Sequence, residues 1–409
     1  MRILVIVNVY RPDLGGGVLF ADFLEGLVDR GFTVEVRCAY PYYPEWQDKT
    51  GRNGLAIAES VEGRVRVRRF GLFIPRDAER LGQRLLHEAS FLLSLSRVLP
   101  APGEFDLVMA YCPLVGGLAY GVLASRSTGA PLWLNVQDLA AEAAASAGIV
   151  QSGGAGNMLL RIQRWLFNRA HVWSTISPVM RRRLLPLTRH DQPVHELPNW
   201  LHGSLRDAIL EVAEVPRPLP TGPIRLLYSG NIGGKQDLLV FCRWLAGTDA
   251  DFVFDIRGAG SGAEAIATWL AEHGDPRFSL APLTDEAGLA RGLAACDLFV
   301  VTEKAGAGDS FIPSKLLPAF GTGTAVLAVC DATSPLGTEM AEAGCGPLYT
   351  WDALESLAGL LQNPAKLRDV LPQWRAAAKQ RGLRYDRDQI IDRYAALIRR
   401  RVAGEQSNE

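Results

Sequence analysis

Nearly continuous apolar runs alternate along the chain with longer segments in which apolar residues recur at helical spacing. Asp106–Tyr111 and Pro131–Val136 are apolar enough to be strands buried on both faces. Val18–Arg30 and Leu114–Ser127 predict helices between such strands. This alternation favours an α/β fold with parallel sheets. The other strands predicted in the first half are Arg2–Val9, Thr33–Ala39, Val65–Phe70, His171–Thr175 and Val194–Leu197.

A proline-rich stretch interrupts the alternation, and residues 213–223 therefore predict a linker. The alternation then restarts, which predicts two doubly wound, Rossmann-like domains that face each other across a cleft. The expected domains are residues 1–212 and 224–385. The strands predicted in the second domain are Ile224–Ser229, Asp251–Arg257, Arg277–Ala281, Asp297–Thr302, Thr324–Val329 and Gly346–Thr350.

Composition restricts the classes of function. The 409 residues suffice for two domains, and 48% hydrophobic with 21% charged residues is typical of a globular protein. A net charge of −1 gives no general attraction to nucleic acid. Six cysteines without a C-x-x-C pair and six dispersed histidines indicate neither disulfides nor a metal site, which suits a reducing cytoplasm. We expect no signal segment and no membrane span, because the apolar runs are too short.

The most informative stretch is the glycine-rich turn Gly230–Lys235 (GNIGGK), which follows one predicted strand and precedes a predicted helix. Backbone N–H groups, the helix N-terminus and the Lys235 ammonium group would together attract an anion. The spacing matches neither a Walker loop nor the dinucleotide fingerprint. A ligand that carries a diphosphate and an ordinary tight turn both fit this pattern.

Two further loops follow predicted strands, and ligands bind outside the carboxyl ends of strands in open α/β sheets. Asp255–Gly262 contains glycines that would let a flat base or a phosphate approach the backbone, or it is a plain turn. Thr302–Leu316 combines a glycine segment with Pro313, which predicts a helix start. Ser314 and Lys315 add a hydroxyl and an ammonium group at that start.

A set of motifs occurs in one order over nearly the whole chain: Arg2–Ile6, Gly15–Gly17, Asn135–Leu139, Ser174–Met180, Leu197–Trp200, Tyr228–Gly233 and Ile312–Leu316. Together they resemble the family-4 glycosyltransferases of the GT-B fold, in particular the colanic-acid fucosyltransferase type of bacterial exopolysaccharide assembly. The resemblance implies retaining transfer of a sugar from a UDP- or GDP-sugar to a hydroxyl group, with no cofactor and no metal. It also implies that a closing helix at about residues 386–401 packs back on the first domain.

The resemblance places the donor diphosphate beside positive side chains. Lys235 stands where the family keeps its phosphate-binding lysine. Asn231 replaces an arginine found a few residues earlier, and Lys315 or Arg257 would supply the missing charge. These groups would stabilise the departing diphosphate as its charge develops.

The Glu-x7-Glu motif of the family is altered in this chain. The second glutamate, which binds the donor ribose in the family, aligns with Pro318, and the first falls near Asp309 or Ser310. Glu303 is the candidate substitute, and the altered motif leaves open a weakly active or respecialised enzyme. The candidate donor-binding residues are Gly230, Asn231, Gly233, Arg257, Gly258, Gly260, Glu303, Asp309, Ser310 and Ser314.

Candidates for the acceptor lie in the first domain. Asp138 and Glu142 follow the predicted strand Pro131–Val136 and would hold the acceptor hydroxyl, or they are a helix N-terminal acid cluster. Asp138 joins Lys235 and Lys315 as the catalytic candidates. The other acceptor-binding candidates are Gly15, Gly16 and Gly17.

One acidic motif, Asp249–Asp251, resembles the metal-binding D-x-D sequence of the other glycosyltransferase fold. It precedes a predicted strand, whereas ligands bind at the opposite, carboxyl ends of strands. We therefore expect no metal at this motif.

Two amphipathic segments are consistent with either core packing or an anionic membrane surface. Leu81–Leu99 is apolar over most of its surface and has arginines nearby. A second segment has an apolar stripe beside three arginines. A lipid-linked acceptor at the inner membrane face would explain the arginines and a peripheral location. The stripe is Met158, Leu159, Ile162, Trp165 and Leu166, and the arginines are Arg161, Arg164 and Arg169.

Two other classes of protein share the predicted architecture. A nonhydrolysing UDP-sugar epimerase has the same two domains, but its expected cluster of catalytic acids and histidine is not found. A non-catalytic sugar-nucleotide-binding subunit would fit the altered Glu-x7-Glu motif. The sequence names neither the sugar, nor the base, nor the acceptor.

Overall fold

The computed structural model describes residues 1–13, 15–77, 80–138, 154–188, 193–215, 217, 219, 221–306 and 314–404. The chain divides into two compact units. The first unit consists of Met1–Asn199 with Arg387–Glu409, and the second of Trp200–Asp386. Each unit has a mainly parallel sheet with helices, so the predicted α/β class is confirmed.

The first unit is built on an eight-stranded sheet in the described residues. Its strands are β1 (Arg2–Ile6), β2 (Thr33–Ala39), β3 (Ile57–Glu62), β4 (Val65–Phe70), β5 (Leu107–Cys112), β6 (Leu132–Val136), β7 (Val172–Thr175) and β8 (Val194–Glu196). Their order in the sheet is β3-β4-β2-β1-β5-β6-β7-β8. The accompanying helices are α1 (Gly16–Asp29), α2 (Leu81–Ser96), α3 (Val115–Thr128), α4 (Gly154–Phe167) and α5 (Pro178–Leu184).

The first strand was predicted as Arg2–Val9, but β1 ends three residues earlier, at Ile6. β1 lies between β2 and β5, and Ile3–Ile6 is 0% exposed because neighbours cover both its edges and both its faces. β2 and β4 have the predicted bounds. β3 is absent from the prediction, because this antiparallel edge strand is mostly polar and partly solvated.

The second unit has a six-stranded parallel sheet in its described part. Its strands are β9 (Ile224–Asn231), β10 (Phe252–Ala259), β11 (Phe278–Ala281), β12 (Leu298–Thr302), β13 (Val326–Val329) and β14 (Leu348–Tyr349), in the order β11-β10-β9-β12-β13-β14. Its helices are α6 (Gly203–Ala213), α7 (Leu238–Ala246), α8 (Ala263–His273), α9 (Glu286–Ala295), α10 (Leu316–Thr322), α11 (Pro335–Ala343), α12 (Leu354–Leu361) and α13 (Pro364–Gly382).

The boundary between the units precedes the proline-rich stretch. Helix α6 packs against α9 and α10 of the second unit, although residues 1–212 were expected to form the first domain. The side chains of Leu201 and Ile209 fill the space beside Gly321 of α10. Apolar packing therefore places the boundary at Asn199, and residues 213–223 lie within the second unit.

The last helix, α14 (Arg387–Val402), belongs to the first unit. It packs against α1, where Ile391 lies over Gly26. Arg387 Nε donates to Asp22 Oδ2 over 2.8 Å. Tyr394 accepts a hydrogen bond of 2.7 Å from Asn135, a residue of β6 that is 0% exposed. The final helix is thus part of the first unit's core.

None of the helices in the described ranges combines the length and the apolar character that a membrane span requires.

Candidate functional site

The candidate residues of the second unit gather at the carboxyl edge of its sheet, because β9, β10 and β12 run parallel. β9 extends two residues beyond its predicted end, so Gly230 and Asn231 are part of the strand. They pair with Gly258 and Ala259 of β10. The turn that follows includes Gly233, whose N–H donates to Gln236 Oε1 over 2.9 Å.

Lys315 lies against this strand end. Its Nζ donates to Tyr228 Oη over 2.6 Å and to the Asn231 carbonyl over 3.3 Å. The same nitrogen lies 4.1 Å from the centre of the Tyr228 ring, a cation–π contact. Burial lowers the pKa of Lys315 to about 8. The lysine is therefore a partly buried amine held next to the glycine turn.

Gly230 makes this position of Lys315 possible. Its φ of 135° disfavours any residue with a side chain, and a Cβ there would lie 2.6 Å from Lys315 Cε. The glycine thus serves to let the lysine stem cross the strand, which the sequence pattern alone did not indicate.

Lys235 is exposed in the turn, and its carbonyl accepts the N–H of Lys304 over 2.8 Å. Within the described ranges no acid forms an ion pair with its ammonium group. Helix α7 follows, and its N-cap residue Asp237 makes no capping bond through its side chain. Lys235 therefore offers a free positive charge close to a helix N-terminus.

Glu303 follows β12 and is half-buried. Burial raises the pKa of its carboxyl, and a hydrogen bond from Ser334 and the charge of Lys235 lower it in part. Its Oε2 is buried and accepts no hydrogen bond from the described residues. The group is a carboxyl oxygen with unused acceptor capacity close to Lys235.

Three candidates, Arg257, Gly258 and Gly260, are already in contact with other parts of the unit. The guanidinium of Arg257 forms an ion pair of 2.6 Å with Asp255 and donates to the Gly288 carbonyl on α9 over 3.2 Å. Arg257 is therefore already neutralised and does not add a free charge beside Lys315. The space beside Gly258 and Gly260 was expected to admit a base or phosphate, but the loop around Ile232 fills it, with its carbonyl 2.5 Å from a Cβ built at Gly260.

The candidates of the first unit lie at the carboxyl edge of its own sheet. Gly15 has a φ of 65° and precedes α1, which begins at Gly16 without a capping side chain. A Cβ at Gly17 would lie 3.0 Å from the Tyr10 backbone, so this turn packs tightly on the segment after β1. Asp138 follows β6, and its buried Oδ1 has no partner among the described residues.

Residues 15–200 match the glycosyl transferase 4-like domain. The chain is 29% identical over 349 residues to the colanic acid biosynthesis glycosyl transferase WcaI of Escherichia coli K12, with 82% of this chain and 85% of that protein covered. The chain is a glycosyltransferase, and its residues 15–200 carry the glycosyl transferase 4-like domain.

Solved glycosyltransferase structures show the same fold at low sequence identity. Sucrose-phosphate synthase of Thermosynechococcus elongatus superposes with a TM-score of 0.66 at 16% identity, covering 99% of this chain and 100% of that one. HepE of Anabaena in complex with UDP gives a TM-score of 0.65 at 18% identity, covering 98% and 100%. The predicted GT-B architecture is thereby confirmed.

Several predicted residues of the glycosyltransferase lie outside the described ranges, namely Glu142, Asp309 and Ser310. Pro313 lies outside them as well, and α10 begins at Leu316 rather than at Pro313. Ser314 is exposed directly before Lys315, which is the N-cap residue of α10. The D-x-D motif ends where β10 begins, at the amino end of the sheet. In the described part of the glycosyltransferase no cluster of three metal-ligating side chains is found.

One acidic residue of the glycosyltransferase, Glu88, was not among the residues predicted from the sequence. Glu88 of α2 accepts the N–H of Gly116, at the start of α3, over 2.7 Å. Burial raises its pKa to about 7. Burial raises the pKa of the Cys112 thiol, and the nearby charges of Asp138 and Glu88 raise it further, so all three side chains lie close together at the end of β5. The only sequence signal was an acid inside an otherwise apolar helix.

Proposed function

We propose that this glycosyltransferase moves a sugar, with retention, from a nucleotide-diphosphate sugar to a hydroxyl of a lipid-linked or saccharide acceptor in cell-surface polysaccharide assembly. The observation that carries the proposal is the pair Lys235 and Lys315 around a strand-end glycine turn. WcaI, named for colanic acid biosynthesis, supports the polysaccharide context. HepE, solved with UDP, supports the nucleotide donor.

The two lysines suit the departing diphosphate. Lys315 is fixed by Tyr228 and Asn231, so little reorganisation accompanies the developing charge. Lys235 is exposed, so its ammonium group is available to an oxygen of the same diphosphate. The free Oε2 of Glu303 suits a ribose hydroxyl, in place of the glutamate that is Pro318 here. In the first unit, Asp138 Oδ1 would accept a hydrogen bond from the hydroxyl of the glycan that receives the sugar.

The proposal is tested with UDP-, GDP- and ADP-sugars and a lipid extract from the inner membrane as acceptor. A transferase releases nucleoside diphosphate and labels a lipid with the sugar. An epimerase converts the free donor without release, and a binding subunit binds a donor but does neither. Either of the last two results would replace the transferase proposal by one of these alternatives.

We predict that transfer persists in excess EDTA. Positive side chains at the glycine turn supply the charge that a divalent ion supplies in metal-dependent enzymes. The measurement is nucleoside diphosphate release before and after chelation. Loss of activity that magnesium or manganese restores would contradict the prediction. An Asp249→Asn/Asp251→Asn double variant would then decide whether these two carboxylates hold the metal.

We propose further that the first unit attaches to the anionic inner membrane surface through α4. Ile162 and Trp165 are 43% and 51% exposed, whereas Leu166 is 5% exposed and belongs to the core. Met158 and Leu159 lie outside the described side chains, and of the other three stripe residues two therefore face solvent and one lies in the core. Arg169 lies 4.6 Å from the Trp165 ring centre, which places a positive charge at this apolar patch.

Basic residues near an anionic surface contribute about 1 kcal/mol each, so Arg161, Arg164 and Arg169 would support reversible binding. We expect cosedimentation with anionic vesicles at low salt and release at high salt. The triple Arg→Gln variant should lose this binding and keep donor hydrolysis. A matched control replaces three exposed arginines outside both amphipathic segments, Arg126, Arg243 and Arg291. Wild-type protein that ignores anionic vesicles, or an unaffected triple variant, would exclude attachment through α4.

A further inference from the structure

The loop between β2 and β3 carries a group of aromatic side chains with no part in the proposed donor chemistry. Tyr42, Tyr43 and Trp46 follow the carboxyl end of β2, and His87 of α2 packs beside them. The ring centre of Trp46 lies 5.4 Å from that of Tyr42, 6.2 Å from that of Tyr43 and 5.6 Å from that of His87. We call Tyr43 and Trp46 the aromatic platform.

A buried carboxylate fixes this loop. Asp13 is 1% exposed and accepts the N–H groups of Tyr42 and Tyr43, each over 3.2 Å. Its Oδ1 also lies 3.3 Å from Lys49 Nζ. A Cβ at Gly17 would lie 3.2 Å from Asp13 Cβ, so the glycine turn packs on the same residue. Asp13 therefore contacts both the glycine turn and the aromatic loop and holds them next to each other.

Trp46 adopts a backbone conformation that bulky residues rarely use, with φ at 53°. The rings of Tyr42, Tyr43 and His87 meet the indole at 59°, 76° and 62°. In the part of the chain that the structure describes, no ring therefore stacks parallel on this half-buried indole. The loop holds Trp46 in a strained conformation while leaving it without a parallel-stacked partner.

Polar groups flank the indole. Glu45 and Lys49 form an ion pair of 2.6 Å on either side of Trp46 in the chain. The Glu45 carboxylate is 54% exposed and the Lys49 side chain 31%. A half-buried indole next in the chain to an exposed carboxylate and ammonium pair therefore lies after the carboxyl end of β2, at the sheet edge where Gly15–Gly17 also lies.

We propose that the aromatic platform binds a sugar ring of the acceptor. A pyranose ring has an apolar face of C–H groups, which packs on an aromatic ring, and a rim of hydroxyls, which bond to carboxylate and ammonium groups. The platform belongs to the unit that carries Asp138. This inference rests on the proposed function, and it names the saccharide part of the acceptor as what the first unit recognises.

The test uses full-length protein labelled with 5-fluorotryptophan. The chain has nine tryptophans, and the Trp46 resonance is assigned by its absence from the Trp46→Phe variant. The probes are the methyl glycosides of glucose, galactose, mannose, fucose and N-acetylglucosamine. We expect at least one of them to shift the Trp46 resonance saturably, without a shift at Trp244 of the second unit. If none of the five shifts it at about 50 mM, a concentration that detects even weak binding, the inference is overturned.

Variants separate recognition from folding and from donor chemistry. Trp46→Ala should weaken binding of the active glycoside about 10-fold, and Trp46→Phe should retain most of it, by saturation-transfer NMR. Leu55→Ala, at a residue that is 77% exposed on the same connection, is the matched control and should bind normally. Equal binding by Trp46→Ala and the wild type would also overturn the inference.

Donor hydrolysis without acceptor distinguishes the two proposals. It should be unchanged in Trp46→Ala, because the platform lies in the first unit and the two lysines in the second. If the wild type hydrolyses and transfers no nucleotide sugar, the proposed function fails, while the glycoside titration still decides whether the platform binds sugars.

Discussion

Replacing Lys235 by alanine should lower kcat by about 30- to 1,000-fold, which corresponds to about 2–4 kcal/mol of lost transition-state stabilisation. The reason is that its unpaired ammonium group would meet the diphosphate only as negative charge develops on the leaving oxygen. The measurement is steady-state release of nucleoside diphosphate with the donor identified by screening. The KM for the donor should change less than kcat.

A matched substitution controls for the loss of one surface lysine. Lys379→Ala removes an exposed lysine near the turn at Gly323, which precedes β13 at the opposite edge of the sheet. It should leave kcat within about twofold of the wild type, as is usual for surface substitutions. A folded Lys235→Ala variant with normal turnover would remove Lys235 from the proposed mechanism.

Lys315 should give the reaction a characteristic pH dependence. Burial lowers its pKa to about 8, so the amine is charged below that pH and neutral above it. If the charge holds the donor diphosphate, kcat/KM for the donor should fall as pH rises through about 8, since kcat/KM reports groups of the free enzyme. A donor-saturated kcat should fall only at higher pH, because the bound diphosphate favours the protonated amine.

Two variants test this assignment. Lys315→Arg keeps its charge above pH 8 and should abolish the fall in kcat/KM, although its planar guanidinium fits the site less well. Lys315→Met should lose activity to a similar degree at every pH. Its midpoint of thermal unfolding should equal that of the wild type, since the substitution removes a buried charge. A wild-type profile that stays flat to pH 9.5 would show that Lys315 does not act as a cation.

The strands of both sheets could be predicted from the sequence because buried parallel strands are nearly continuous apolar runs. β2 and β4 have their predicted bounds, and most other strands differ by one or two residues at an end. β3 was missed because its polar residues lack such a run, and pairing with β4 decides its conformation. The boundary between the two units differs from the predicted one because it depends on where α6 packs. The proline-rich stretch in the sequence does not show this packing.

The candidate site was predictable only in outline. Glycines and lysines after strands indicated which loops to consider, since the edge of a parallel sheet gathers them. Partners were not predictable: Arg257 pairs with Asp255 from the same strand, and Gly230 makes room for a lysine 85 positions later in the chain. Trp46 carries no local sequence signal, and Glu88 carries only that of an acid in a mostly apolar helix, because the importance of both comes from the side chains that tertiary packing places around them.

The first unit is built from two segments that are far apart in the chain, and this arrangement affects its folding during synthesis. Asn135 is 0% exposed and donates to Tyr394 of α14 as well as to Ser174, and α14 also packs against α1. The ribosome produces the whole second unit before α14 emerges. A nascent first unit therefore waits with part of its core uncovered, the kind of species that aggregates or recruits a chaperone. The rate at which the second unit is translated and folds thus sets how long that exposed state lasts.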